Sequence, residues 1–224
     1  MLKKWLQISF LNLAIVALLG VVMRYKILYP LPFVDQKKFL HAHSHFAFSG
    51  WVTLALMSLL ISKLGNDNNA IFRKYRPVLI ANLLTAYGML LSFPFEGYGL
   101  ISIIFSTLSI FVSYWFAIQY RRDLNRLGEK KVSSLWFKAA VLFNVISSAG
   151  AFTLAGIMAT RSTHTGIYLA AVYFFLHFQY NGWFFFACMG LLTHKLEQYA
   201  VKKEQLLIIY RLFVYACVPA YMLS

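Results

Sequence analysis

Acidic residues are scarce in this chain: 7 Asp and Glu stand against 21 Lys and Arg, and only 12% of the 224 residues are charged. A soluble domain carries about 25% charged residues, so a surface wetted all round is excluded. Cysteine is scarce too. Cys188 and Cys217 both fall in apolar stretches and no CxxCH occurs, which excludes a disulfide framework and a covalent c-type haem and leaves both thiols to packing. Carboxylates are missing where a metallohydrolase would need one. His41 and His45 have the i, i+4 spacing of a helical zinc pair, but position 42 is Ala, so the general base of HExxH is absent. Glu96 and Asp35 are the carboxylates expected on the outer side, and neither lies within a span. Also absent is the period-two alternation that would mark a membrane β-barrel.

What is present is apolar mass. Hydrophobic residues make up 60% of the chain and aromatics 18%, with a mean hydropathy of +0.65. The apolar runs have the length of about 20 residues that a bilayer-crossing helix needs. They predict an all-α, polytopic transmembrane bundle of about seven spans: 6–23, 40–62, 77–94, 98–119, 135–159, 167–194 and 205–224. The net charge of +14 would suit nucleic acid, but the cations cluster in short connections, a pattern that sets topology instead. With a cytoplasmic N-terminus, inner loops collect fourteen Lys and Arg, and outer loops hold Arg24, Lys26, Lys37, Lys38 and Arg161. That orientation makes the chain a multi-pass protein of the inner (plasma) membrane, with the lipid bilayer as its first partner. The first span, Lys3-Lys4 followed by a long apolar run with no small-residue cleavage site, reads as a retained helix rather than a signal peptide.

The chain repeats itself. At an offset of 132, HFAFSGWVTLALMSLLISKL (His45 to Leu64) lies over HFQYNGWFFFACMGLLTHKL (His177 to Leu196), with 10 of 20 positions identical. Asn12 falls on Asn144 in the same register. The expected unit is a four-helix block: 1–132 the first copy, 133–224 a second copy of three helices, together one membrane domain. The last apolar stretch, Leu206 to Ser224, has no polar tail, and on this pattern the encoded protein is expected to continue into a longer one.

Histidines inside a span are costly and functional by default. His41, His43, His45 and His177 are placed there or at its edge. Each helical step turns about 100°, so His43 and His45 face different sides of their helix, whereas His41 and His45 share one. Neutral imidazole is the commonest ligand for haem and metals. All four histidines are therefore candidate ligands, and His45 and His177, at equal depth on helices running the same way, could clamp one iron from both sides.

The segment His43-Ser44-His45-Phe46-Ala47-Phe48-Ser49-Gly50-Trp51-Val52, HxHxxxxGWV, resembles the haem-bearing motif of the catalytic subunit of haem-copper oxidases. It is closest to C-type cytochrome oxidases and nitric oxide reductases, and similar to NnrS-like membrane haem proteins. The resemblance implies four-helix blocks and a b-type haem protein acting in respiratory electron transfer or in chemistry on O2 or NO. It implies cofactor-binding roles for His43 at a high-spin haem, His45 at a low-spin haem and His177 as a ligand from another block. One or two haems b are expected, and copper or non-haem iron is left open without a ligand set of its own. An electron-donor subunit or quinol, and self-association into an oligomer, would be its protein-side and small-molecule partners. The chain departs from the family in carrying Phe178-Gln179-Tyr180-Asn181 after His177, no histidine in the last span, and its His-x-His in the first block. The alternative from another class is a haem-free, tandem-repeat transporter or channel-like protein, which would show polar, broken midspans.

Overall fold

A computed structural model describes residues 1–65, 68–128, 131–160, 163–199 and 201–223. Among the described residues every regular element is helical. α1 spans Leu2–Leu28, and its end follows from the sequence: Tyr29 precedes Pro30 and is extended, at φ −130 and ψ 139, because a residue before proline is driven from the helical region. α2 (Gln36–Phe46) starts at Asp35, whose carboxylate accepts the Lys38 N–H at 3.0 Å as a side-chain cap. It continues through a π-helical turn, Ala47–Thr53, into α3 (Leu54–Ile61). α4 (Asn68–Glu96) ends at Gly97, whose φ of +63 is the left-handed conformation that glycine adopts most easily. α5 (Leu100–Arg126) and α6 (Val132–Ala159) follow. α7 (Thr165–His177) runs through a second π-turn, Phe178–Phe184, into α8 (Phe185–Leu196), and α9 is Lys203–Ala220.

Six helices among the described residues are long and apolar enough to cross a membrane: Leu2–Leu28, Gln36–Ile61, Asn69–Glu96, Leu100–Arg126, Val132–Ala159 and Lys203–Leu223. The stretch expected as a span at 167–194 is helical throughout but is not among them. His177, Gln179 and Asn181 fall at its midpoint and dilute its apolar character. Large apolar side chains such as Phe10, Leu18, Phe111 and Ile118 are exposed on helix exteriors. Such an exterior, on six apolar helices, is that of a multi-pass membrane protein in a lipid bilayer.

The chain forms two compact units, Met1–Phe116 and Ala117–Ser224, divided inside α5. The residues on either side of that division show its basis: Phe116 meets Tyr75 edge-on in the first unit, while Tyr120 meets Phe137 in the second. The joint of the repeat expected at 132/133 falls at the first turn of α6. In the first unit Val16, Phe46 and Ala86 form one core, with Ile15, Trp51, Tyr87 and Leu90 packed on it, and Ala42, Met89 and Phe93 form another with Phe105. In the second, Trp136 and Phe186 sit 5.0 Å apart between ring centres, and both are fully buried.

One carboxylate closes the second unit. Glu197, just past α8, accepts the N–H of Val132 at 2.6 Å, the N–H of Ser133 at 3.2 Å and the Ser133 hydroxyl at 2.6 Å. It satisfies donors that the first turn of α6 leaves open. Glu197→Ala should therefore lower stability by about 1–2 kcal/mol, seen as an earlier thermal unfolding of the detergent-solubilised protein, while Glu197→Gln keeps one acceptor and recovers part of it.

Candidate functional site

Each π-turn carries the Gly-Trp pair of the repeat. In a π-turn the hydrogen-bond register slips by one residue, and carbonyls that an α-helix would satisfy need other donors. In the first unit these come from neighbouring helices. Asn82 Nδ2 donates to the Ser49 carbonyl at 2.9 Å, Asn12 Nδ2 to that of Gly50 at 2.6 Å, and Ser9 Oγ to that of Trp51 at 3.0 Å. Tyr87 Oη donates to Asn12 Oδ1 at 2.7 Å, so Asn12 is bonded at both ends of its amide. The result is a polar girdle inside an apolar unit.

The histidines of α2 are arranged around that turn as their spacing predicts. His43 faces α1: its Nδ1 lies 3.1 Å from the Val16 carbonyl, and a Cβ placed on Gly20 would be 3.5 Å from the ring edge. Gly20 also lines an open groove of about 500 Å³ along α1, together with Ala17, Val21, Arg24, Tyr25 and Leu28. His41 and His45 face the other way, toward the end of α4. The His45 ring stacks on Phe93 at 4.5 Å, and its Nε2 is 3.3 Å from Tyr98 Oη. The His41 ring meets Tyr98 edge-on at 4.5 Å, and its Nε2 is buried with no hydrogen-bond partner among the described residues.

His177 belongs to the second unit. Its Nε2 lies 2.8 Å from the Cys217 carbonyl and its Nδ1 3.2 Å from Asn181 Nδ2. One neutral tautomer satisfies both, with Nε2–H donating and Nδ1 accepting. His177 is thereby a bridge from α7 to α9, and Cys217 is buried beside it as a packing thiol. Gln179 donates to Asn144 Oδ1 at 3.0 Å and Ser147 Oγ at 2.7 Å. The buried Asn144 Nδ2 has no partner, unlike that of Asn12.

The structure thus groups His41 with His45 and sets His43 on the opposite side. Among the described residues no three His, Cys, Asp or Glu side chains come together to hold a metal ion. Of the cations placed on the outer side, Arg24 lines the α1 groove. Lys26 is instead committed to the carbonyls of Leu31 and Val34, and Arg161 lies outside the described residues. The sequence reading missed Tyr98 and Phe93 as neighbours of the histidines; the FPFEGYG segment, with its left-handed Gly97, returns Tyr98 toward α2. No protein-family model, no curated protein and no solved structure matches this chain.

Proposed function

We propose that this chain is a b-type haem protein of the inner membrane, N-terminus cytoplasmic, acting in respiratory electron transfer or in chemistry on O2 or NO, with His43 as the residue that would hold the iron. The observation that carries the proposal is the state of the His43 ring. A haem- or metal-binding histidine commonly holds its second nitrogen on a backbone carbonyl or a carboxylate, which fixes the tautomer and raises the basicity of the binding nitrogen. His43 Nδ1 is held in this way by Val16, and among the described residues no hydrogen bond engages Nε2. Gly20 lies beside the ring edge and lines the groove on α1, where Arg24 stands ready for a carboxylate. Haem b held here would supply a one-electron iron centre able to bind a diatomic gas.

Several residues stand outside this proposal. His45 and His177, for which the resemblance implies iron bonds, have their Nε2 atoms at Tyr98 Oη and the Cys217 carbonyl. The recurrence of a π-turn beside the Gly-Trp pair supports the tandem-repeat reading on which the resemblance partly rests. The same π-turns are the observation that favours the transporter alternative, since broken midspans are how such proteins bind solutes. The carbonyls at 49–51 are taken by Asn82, Asn12 and Ser9, however, which leaves them less to offer a solute or ion.

Optical spectroscopy tests the proposal. The protein purified from membranes, or reconstituted with haemin, should show a Soret band, and His43→Ala should abolish or shift it while His177→Ala leaves it in place. A protein with no Soret band before or after haemin would refute it.

A further inference from the structure

His41 Nε2 is a buried polar atom with no hydrogen-bond partner among the described residues, an arrangement that folded proteins avoid unless the group has work to do. Its neighbours are donors of the kind that bind metals. His45 lies one turn along on the same face, and Tyr98 reaches both rings, its own ring 4.5 Å from that of His41 and its Oη 3.3 Å from His45 Nε2. That last separation is long for an O–H···N hydrogen bond, since hydroxyl donors usually stand about 2.5–3.0 Å from their acceptors. It matches another geometry better. Two ligand atoms, each about 2.0–2.1 Å from a tetrahedral zinc ion, are about 3.3–3.4 Å apart along the tetrahedral edge.

We infer that His41, His45 and Tyr98 form a site for a divalent transition-metal ion of the zinc class, with two imidazole nitrogens, one phenolate oxygen and a fourth ligand from water. The site is distinct from His43 and does not rest on the haem reading. Binding converts Tyr98–OH to a metal-bound phenolate and releases one proton to solvent. The contact between His45 and Tyr98 lies at the exposed edge of the unit, so an ion has a way in. Phe93 stacks on His45 and meets Tyr98 edge-on at 5.2 Å, holding both donors in place. No carboxylate is poised as a base here, because Glu96 is occupied in accepting the Ser102 N–H at 2.6 Å. The ion's role would be to tie α2 to the corner between α4 and α5.

Cobalt(II) alone is the probe. Chelator-stripped, detergent-solubilised protein should bind one equivalent, with the intense visible bands of tetrahedral cobalt, and zinc(II) should displace it. Loss of an outer-shell partner alone costs about 10–100-fold in metal affinity, so His41→Gln and His45→Gln should each cost at least that. Tyr98→Phe should shift the bands and remove the proton release, and His194→Gln should change nothing. Absence of tetrahedral bands in the wild-type protein, or equal binding by the His41→Gln/His45→Gln double variant, would overturn the inference. If the variants do not fold, zinc K-edge absorption of the wild-type protein decides: two imidazoles with an oxygen support the site, and any other ligand set rejects it.

Discussion

Gly150→Val is expected to be the most damaging single substitution in the second unit. A Cβ on Gly150 would stand 2.5 Å from the Ala171 carbonyl oxygen, 2.8 Å from the Phe175 amide nitrogen and 3.0 Å from the Phe175 Cβ. Two of these atoms are backbone, so no rotamer change relieves the clash, and α6 and α7 must move apart. Close approach through small residues is how membrane helices gain packing energy, because lipid supplies no hydrophobic drive between them. Overpacking costs about 1–3 kcal/mol in a core that can adjust; against backbone the upper end or more is expected. The measurement is thermal or SDS-induced unfolding of the purified protein, with Gly156→Val as the control, since a Cβ there meets nothing within 4 Å. Equal destabilisation by the two variants would show that α6 and α7 do not pack at Gly150.

Asn12→Leu should do comparable damage to the first unit by a different route. The leucine fills similar space but strands two groups at once, the Gly50 carbonyl and the Tyr87 hydroxyl, which Asn12 satisfies at 2.6 and 2.7 Å. A buried polar group left without its partner costs about 1–3 kcal/mol, so the sum is several kcal/mol. The double variant Asn12→Leu/Tyr87→Phe removes one stranded group and should recover part of the loss. Hydrogen exchange separates this from a general weakening, because amides at 47–53 should exchange sooner than those of α4. A double variant no more stable than Asn12→Leu alone would show that Tyr87 does not depend on Asn12.

Much of the fold was legible because its signals are one-dimensional. Apolar runs set helix positions, and helical arithmetic placed His43 opposite His41 and His45. The girdle was half visible: Asn12 and Asn144 stood out as an aligned pair, but nothing local tied Asn12 to Tyr87, 75 positions away. Tyr98 carried no such signal, because its role depends on a chain reversal at Gly97, and reversals place residues by geometry that no period encodes. The π-turns were invisible for a related reason. A helix with one extra residue per turn keeps the composition of an α-helix, and only the placement of external donors reveals it.

That extra residue amounts to a phase shift along the helix. On either side of Ala47–Thr53 the residues follow the same 100° step, but the two series are out of register with one another. The face that directs His41 and His45 toward Tyr98 and the face that buries Leu54, Met57 and Ile61 are therefore set by separate clocks. Removing one residue from the turn would let it close into an ordinary α-helix with both halves still facing their partners, and Asn82, Asn12 and Ser9 would then lose the carbonyls they now serve.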